Sequence, residues 1–177
     1  MIQFDGFLTV FYQANKKLIA FYLACNVALL LFAKIAYGIE ISYFYDGDTV
    51  KIKDDLYEYK LRITDIDAPE RNQDYGLKSR RALMQFCKNA QISVFIYGID
   101  KYQRKLGKLH CNNQDASAFM VNNGHAWFYK RYSMDYSLDV AQQNAQKLKS
   151  GLWQSDNAMA PWQWRKQNRQ SQNKNEY

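Results

Sequence analysis

Three short runs with the alternating pattern of β-strands follow one another from Ile39, and acidic turns separate them. The runs are IEISYFY, TVKIK and YEYKLRI, and the turns contain Asp-Gly-Asp and Asp-Asp. Alternation of apolar and polar residues is typical of half-buried strands, and dipeptides rich in Gly and Asp mark tight turns. The sequence therefore predicts that the folded part of the chain begins as a meander of neighbouring strands.

The remaining strands and the helices come later in the chain. ISVFIYG and LGKLHC predict two more strands, and residues 77–89 have a helical pattern with apolar residues on one side. A second helix is predicted in DASAFMVNNG, with Asp115 as its N-cap, and a third in SLDVAQQNAQKLKSG. About five short strands with three helices predict an α+β fold built on a small five-stranded OB-fold barrel.

The first 38 residues have a different character from the rest. Lys16 and Lys17 precede the uncharged apolar run at residues 18–32, and small residues follow up to Gly38. A basic start, an apolar run and a small-residue site are typical of an export signal that is cleaved after Gly38. If it is not cleaved, residues 18–37 are long enough to anchor the chain in a membrane, and an ordinary core helix is the third reading. Both leading alternatives place the folded domain outside the cytoplasm, as a periplasmic, secreted or membrane-anchored protein.

These boundaries predict a signal peptide or anchor at 1–38, a domain at 39–165 and a flexible tail at 166–177. The tail is predicted from its composition, which is mostly Gln, Asn and Lys. The chain carries a formal net charge of +7 and a sequence pI of about 9.2. A basic balance suits a polyanionic partner, although on its own it is equally typical of a soluble surface.

The cysteines leave two readings open. Cys25 lies in the apolar run, so Cys87 and Cys111 remain for the folded domain. In an exported domain the two could form a disulfide, and the alternative is a pair of buried thiols. Neither cysteine has the spaced partners that a zinc site requires.

Charged residues gather at three turns, where a strand fold alone does not need them. Asp48 and Asp67 are carboxylates at strand ends that repel each other unless a cation lies between them, and their oxygens favour Ca²⁺ or Mg²⁺. Arg62 and Arg104 offer planar forks that match phosphate oxygens. Glu70 is a third acid, free to take a proton from water. A metal, two arginines and a base together predict a site for phosphodiester hydrolysis. The three stretches are DGDTV (46–50), RITDIDAPER (62–71) and DKYQR (100–104).

DGDTV, LRITDIDAPE, DKYQR and GHAWFYKRY together resemble the thermonuclease, or staphylococcal nuclease, family over roughly residues 39–164. The closing GLWQSDNAMAPWQWR is similar to the exported bacterial members. The resemblance implies an OB-fold barrel with three helices, and Ca²⁺-dependent cleavage of DNA and RNA.

The resemblance also implies roles for the acidic residues and their neighbours. Asp48 and Asp67 match the metal-binding carboxylates, and Ala68 matches a residue that offers its backbone carbonyl to the metal. Thr49 matches a residue behind the metal, and Glu70 matches the general base.

A second set of positions corresponds to substrate contacts. Arg62 and Arg104 match the two phosphate-contacting arginines, and Tyr102 and Tyr132 match tyrosines that line the nucleotide pocket. Gln103 departs from the pattern, because the family usually has Gly there. If this turn needs a positive φ, Gln costs on the order of 1 kcal/mol and can shift the neighbouring arginine.

A non-catalytic OB-fold module that binds nucleic acid without cutting it is the alternative function. Such a module gains nothing from Asp48, Asp67 and Glu70, because all three repel a polyanion. The acids therefore favour the enzyme. We expect a monomer that acts on DNA and RNA, with membrane contact, if any, through residues 18–37.

Overall fold

The computed structural model describes residues 38–55 and 57–174. The predicted export signal or membrane anchor lies outside these residues, except for Gly38. Within the described ranges, no helix combines the length and the apolar character needed to cross a membrane.

The predicted meander is confirmed at the start of the main sheet. The strands are β1 (Glu40–Phe44), β2 (Thr49–Lys53), β3 (Glu58–Ile63), β4 (Ile66–Asp67), β5 (Ile92–Ile99), β6 (Lys105–Cys111), β7 (Gln114–Asp115) and β8 (Trp127–Phe128). β1 pairs with β2 and β2 with β3, both antiparallel, while β3 pairs with β6 in parallel and β6 with β5 antiparallel. The sheet order is β1-β2-β3-β6-β5, and β7 pairs with β6. Among the described strands, a second sheet contains only β4 and β8.

The main sheet is not the closed five-stranded barrel that the sequence predicts. β1 and β5 are its two edges, and among the described strands no pairing joins them. Both edge strands contain an irregular register, between Ile41 and Tyr43 in β1 and between Ile96 and Gly98 in β5. Such bulges bend an edge strand and interrupt the row of groups that pairing would use. The fold is therefore an α+β fold with an open, OB-like sheet.

The part of the chain that the structure describes contains four α-helices, one more than predicted. They are α1 (Gly76–Phe86), α2 (Ala116–Asn122), α3 (Tyr136–Lys147) and α4 (Pro161–Lys174), with 3₁₀ turns at Lys130–Tyr132 and Gly151–Gln154. Asp115 caps α2 as predicted, since its carboxylate accepts hydrogen bonds from the backbone N–H groups of Ser117 and Ala118, at 2.6 and 3.2 Å.

The additional helix, α4, corrects the prediction of a loose tail after residue 165. Pro161 is the first helical residue, a position that suits proline because the missing N–H has no helical partner there. The Trp162 ring stacks on Tyr129 with centroids 5.4 Å apart, and meets the Trp127 ring edge-on at 5.5 Å. These tertiary contacts stabilise a helix that the polar composition of residues 166–177 does not favour.

The core lies against one face of the main sheet. Val50 and Ile52 of β2 and Leu61 and Ile63 of β3 have no exposed surface. Because successive strand residues point to opposite faces, Arg62 is directed away from this core. Leu83 of α1 and Met120 and Val121 of α2 complete the buried cluster, together with Leu109 of β6.

Cys87 and Cys111 form a disulfide, the first of the two readings that the sequence leaves open. Cys87 directly follows α1 and Cys111 is the last residue of β6. The bridge therefore joins the end of α1 to the end of β6.

Candidate active site

Strand pairing brings the loop before β2 and the end of β3 together. Thr49 lies opposite Arg62 in the antiparallel register, and the backbone N–H of Ile63 donates to the carbonyl of Asp48 at 2.8 Å. The chain then turns into β4, whose second residue is Asp67. The predicted metal carboxylates and the first predicted arginine therefore meet at one end of the sheet.

Arg62 links the two buried aspartates. Its Nε lies 3.2 Å from Asp48 Oδ1, and its Nη2 lies 3.0 Å from Asp67 Oδ1. The Nη1 group donates to the backbone carbonyls of Ile63 and Ile66. Asp48 and Asp67 are 4 % and 1 % exposed. The guanidinium therefore offsets the repulsion between two carboxylates that water barely reaches.

Asp48 is held by two further donors. The Thr49 hydroxyl donates to Oδ1 at 2.9 Å, and the Ala68 backbone N–H donates to Oδ2 at 2.6 Å. Thr49 therefore lies behind the carboxylate, and Ala68 connects the two aspartate loops through its N–H. Both residues thus contact Asp48, Thr49 through its hydroxyl and Ala68 through its N–H, while the predicted role of the Ala68 carbonyl stays a prediction.

Asp46 belongs to the same cluster, although it is not among the predicted site residues. Its carboxylate accepts hydrogen bonds from the backbone N–H groups of Asp48 and Thr49, at 2.9 and 2.7 Å. Burial, followed by the charge of Asp48, raises the pKa of Asp46 to about 8. A Cβ on Gly47 would overlap Ser79 Oγ, so this loop requires glycine. The Asp-Gly-Asp string contains the relevant pattern, but it is equally typical of an ordinary turn.

Glu70 lies in the loop between β4 and α1, beside the buried Pro69. Its backbone N–H donates to Gln73 Oε1 at 3.1 Å, and Gln73 Nε2 donates to the Met159 carbonyl at 2.7 Å. A Cβ on Gly76 would overlap the Glu70 carbonyl, which shows how closely the loop is packed. The Glu70 side chain is 30 % exposed, so its carboxylate is open to water while its backbone is fixed.

Arg165 of α4 is the second functional candidate that sequence reasoning misses. Its Nη2 lies 2.7 Å from Asp67 Oδ2, and its Nη1 lies 3.2 Å from Asp67 Oδ1 and 2.7 Å from Glu70 Oε1. Trp162, three residues earlier on the same side of the helix, packs on Trp127, which pairs with Asp67 across β4 and β8. The string PWQWR is the only local sequence signal for this contact, and it reveals neither the helix nor the carboxylates that Arg165 contacts.

Arg104 stands apart from the carboxylate cluster. Its Nε and Nη2 both contact Asp100 Oδ2 at 2.8 Å, and no described hydrogen bond or ion pair joins it to Asp48, Asp67 or Glu70. In the parallel register Arg62 lies opposite Leu106. Arg104 is therefore displaced from Arg62 by two residues, about 7 Å along the neighbouring strand.

The predicted tyrosines are exposed. Tyr102 is 68 % and Tyr132 is 65 % exposed. The Arg104 guanidinium lies 5.6 Å from the Tyr102 ring centre, and the Tyr132 ring is 4.9 Å from that of Tyr129. Both rings therefore lie largely at the surface, and no described contact brings them together.

Gln103 has a positive φ of 61° in the turn before Arg104. We expect Gln103→Gly to raise the free energy of unfolding by up to about 1 kcal/mol, because a side chain is disfavoured in the left-handed region. Denaturant unfolding measures this change. Asn89→Gly, at φ 56°, is the matched control and should gain less, since Asn adopts this region more readily. A lower free energy of unfolding in Gln103→Gly than in the parent would contradict backbone strain at residue 103.

The donors fit a cation that prefers oxygen. Asp48 and Asp67 are bridged and buried, Ala68 directly follows Asp67, and among the described residues no sulfur or imidazole ligand joins them. Burial raises the pKa of Asp67 in spite of the opposing hydrogen bond from Arg165. No group of three or more His, Cys, Asp or Glu side chains in the described ranges is arranged to hold a metal by itself. Backbone carbonyl and water would have to complete the shell, as calcium commonly allows.

Comparisons with known proteins point to nucleases. A family model described as staphylococcal nuclease homologue matches residues 60–155, more than half of the chain. An uncharacterized endonuclease of Escherichia coli O157:H7 is 36% identical over 121 residues, covering 68% of this chain and 79% of that protein. A Haemophilus influenzae protein of the same description is 38% identical over 123 residues, or 69% of each chain.

A rice protein described as probable staphylococcal-like nuclease CAN3 is 35% identical over 112 residues, which are 63% of this chain and 30% of that longer protein. Asp46, Asp48 and Arg165 fall outside the residues that the family model matches, whereas Arg62, Asp67, Glu70 and Arg104 fall inside. The chain therefore belongs to the staphylococcal nuclease family.

Proposed function

We propose that this chain is a calcium-dependent nuclease that hydrolyses phosphodiester bonds of both DNA and RNA. Membership of the nuclease family makes phosphodiester hydrolysis its reaction. The observation that supports the finer proposal is the buried Asp48–Arg62–Asp67 bridge, with Glu70 reached through Arg165. This arrangement combines oxygen donors, a fixed guanidinium and a partly exposed carboxylate at one end of the sheet.

Asp48, Asp67 and the Ala68 carbonyl are the groups that would hold the calcium ion. When bound, the ion supplies positive charge against the phosphate oxygens, whose charge grows as the attacking oxygen adds. Thr49 and the Ala68 N–H keep the Asp48 carboxylate in one orientation, at 2.9 and 2.6 Å. The fold therefore fixes the Asp48 carboxylate through hydrogen bonds of its own.

Glu70 is the proposed general base. Its carboxylate is partly exposed, so a water molecule can reach it, while Gln73 and the close packing at Gly76 fix the loop. In the reaction a carboxylate oxygen of Glu70 takes a proton from the water that attacks phosphorus. A positioned base of this kind contributes about 10²–10⁴ in rate.

Arg62 and Arg104 are the proposed phosphate contacts. Arg62 lies on β3 and Arg104 directly precedes β6, the parallel neighbour of β3, and a planar guanidinium matches phosphate oxygens. Asp100 holds the Arg104 fork in place. Tyr102 and Tyr132, both exposed, are the proposed surfaces for nucleotide stacking.

The proposal is tested by incubating the purified chain with plasmid DNA and with RNA, in Ca²⁺, in Mg²⁺ and in excess chelator. We expect cleavage of both nucleic acids with Ca²⁺ and none with chelator, because the donors are oxygens and the phosphate charge needs a cation. A binding assay on the same samples separates a nuclease from a module that binds without cutting. Undiminished cleavage in chelator would refute the calcium requirement, and binding without cleavage under all conditions would favour the module.

We also propose that the domain works outside the cytoplasm, either released after Gly38 or anchored through residues 18–37. The proposal is supported by the pattern of residues 16–38 and by the Cys87–Cys111 disulfide, since such bonds persist in oxidising compartments. Mass spectrometry of the native protein after cell fractionation decides between the forms. A chain that keeps Met1 and stays soluble in the cytoplasm would contradict both.

A further inference from the structure

Arg165 uses the same carboxylates that the proposed chemistry needs. Its Nη1 lies between Asp67 Oδ1 and Glu70 Oε1, at 3.2 and 2.7 Å, and its Nη2 lies 2.7 Å from Asp67 Oδ2. One guanidinium thus contacts both oxygens of a proposed metal ligand and one oxygen of the proposed base. Its side chain is 34% exposed, so it is only partly shielded by the protein.

Asp67 has little capacity left for another cation. Arg62 Nη2 also donates to Asp67 Oδ1, at 3.0 Å, so this carboxylate accepts three hydrogen bonds. An ionised carboxylate offers about four lone-pair positions. A calcium ion bound to Asp67 would lie about 2.3–2.6 Å from one of these oxygens, next to the guanidinium, and the two cations would repel.

The packing of α4 sets the backbone position of Arg165, but the guanidinium has space to rotate away from Asp67. Trp162 is fixed against Tyr129 and Trp127, so the start of the helix is held. On its other side, Arg165 lines an open cavity along α4. A change of side-chain rotamer can therefore move the charge off Asp67 without moving the helix. The cavity is also lined by Asn72, Trp164, Asn168 and Arg169.

We propose that Arg165 is an internal counter-ion that competes with calcium for Asp67 and, when displaced, releases Glu70 as well. This competition rests on the calcium site proposed above. The residue at position 165 would therefore set the calcium concentration at which the site binds the ion. Arg165 lies on α4, a helix outside the residues matched by the family model. Calcium binding and release of the base are thereby coupled through one side chain.

The test is calcium titration of the full chain by calorimetry, without nucleic acid, together with thermal unfolding in chelator. Arg165→Met removes the competing charge and keeps much of the volume. Lys166→Met is the matched control, because it removes the same charge from the next, exposed residue of α4. Arg165→Lys keeps the charge but cannot bridge two carboxylates.

We expect Arg165→Met to bind calcium at least about tenfold more tightly than the parent, given the strength of charge repulsion at such distances. Its unfolding temperature in chelator should fall, because the acids lose their partner, and calcium should restore it. Lys166→Met should match the parent, and Arg165→Lys should lie between.

Calcium affinity in Arg165→Met that equals or falls below that of Lys166→Met would overturn the competition. If Arg165→Met does not fold, equal affinity of Arg165→Lys and the parent would overturn it instead. If calcium binds to none of the four proteins, the proposed calcium site fails and the competition fails with it. Equal calcium binding by all four proteins is a different result, because it would overturn the competition and leave the proposed calcium site intact.

Discussion

Glu70→Gln is expected to lower kcat by about 10²–10⁴ while nucleic acid still binds, because a positioned general base contributes a factor of this size. The amide keeps the shape of the side chain and can still accept from Arg165, but it cannot take a proton from water. Removing a negative charge close to phosphate cannot weaken the attraction to a polyanion. Single-turnover cleavage at saturating enzyme measures the chemical step, and a filter or anisotropy assay measures binding.

Glu58→Gln is the matched control for this variant. Glu58 pairs with Lys51 at the surface of the sheet, away from the aspartate cluster, so the same substitution there should leave cleavage unchanged. If Glu70→Gln cuts like the parent, Glu70 is not the base. The proton must then leave the water by another route.

Arg62→Lys is expected to slow cleavage by about 10²–10³, the usual loss when one donor to the developing charge is removed. Lysine keeps the charge but loses the fork, so it cannot contact Asp48 and Asp67 together while also donating to the carbonyls of Ile63 and Ile66. The repulsion between the two carboxylates is then less well offset. Cleavage rate is the primary measurement, and circular dichroism checks that the fold survives.

Arg81→Lys is the control for Arg62→Lys, since Arg81 is exposed on α1 and should tolerate the exchange.

Arg104→Lys should also impair cleavage strongly if Arg104 contacts phosphate, although it pairs with Asp100 rather than with the aspartate cluster. Normal cleavage by both the Arg62 and the Arg104 variants would mean that the phosphate binds elsewhere. The binding-module alternative would then have to be reconsidered.

The strand meander and the acidic end of β3 could be predicted because their causes are local. Alternation at Val50 and Ile52 and at Leu61 and Ile63 reports which face is buried, and the same residues fill the core. Once that face is known, Arg62 must point the other way. The meeting of Asp48, Arg62 and Asp67 follows from strand pairing between neighbours in the chain.

Other features depend on contacts between distant parts of the chain, which local patterns do not reveal. α4 forms because Trp162 packs on Tyr129 and Trp127, and Arg165 reaches Asp67 only as a consequence of that packing. The bulges in β1 and β5, and the lack of a described pairing between these two strands, are likewise not visible in the alternation of residues. Composition predicts a flexible tail after residue 165 because it reports how polar the residues are, and not which tertiary contacts they make.

The Cys87–Cys111 bridge makes the stability of this domain depend on where the chain is. A disulfide of this kind typically adds about 2–4 kcal/mol, a large share of the roughly 5–15 kcal/mol that stabilises a domain. In a reducing cytoplasm the bond does not persist, so the newly made chain lacks that contribution. A nuclease is dangerous to the nucleic acids of the cell that makes it. The same covalent link therefore makes the folded, active nuclease less stable in a reducing compartment than in an oxidising one.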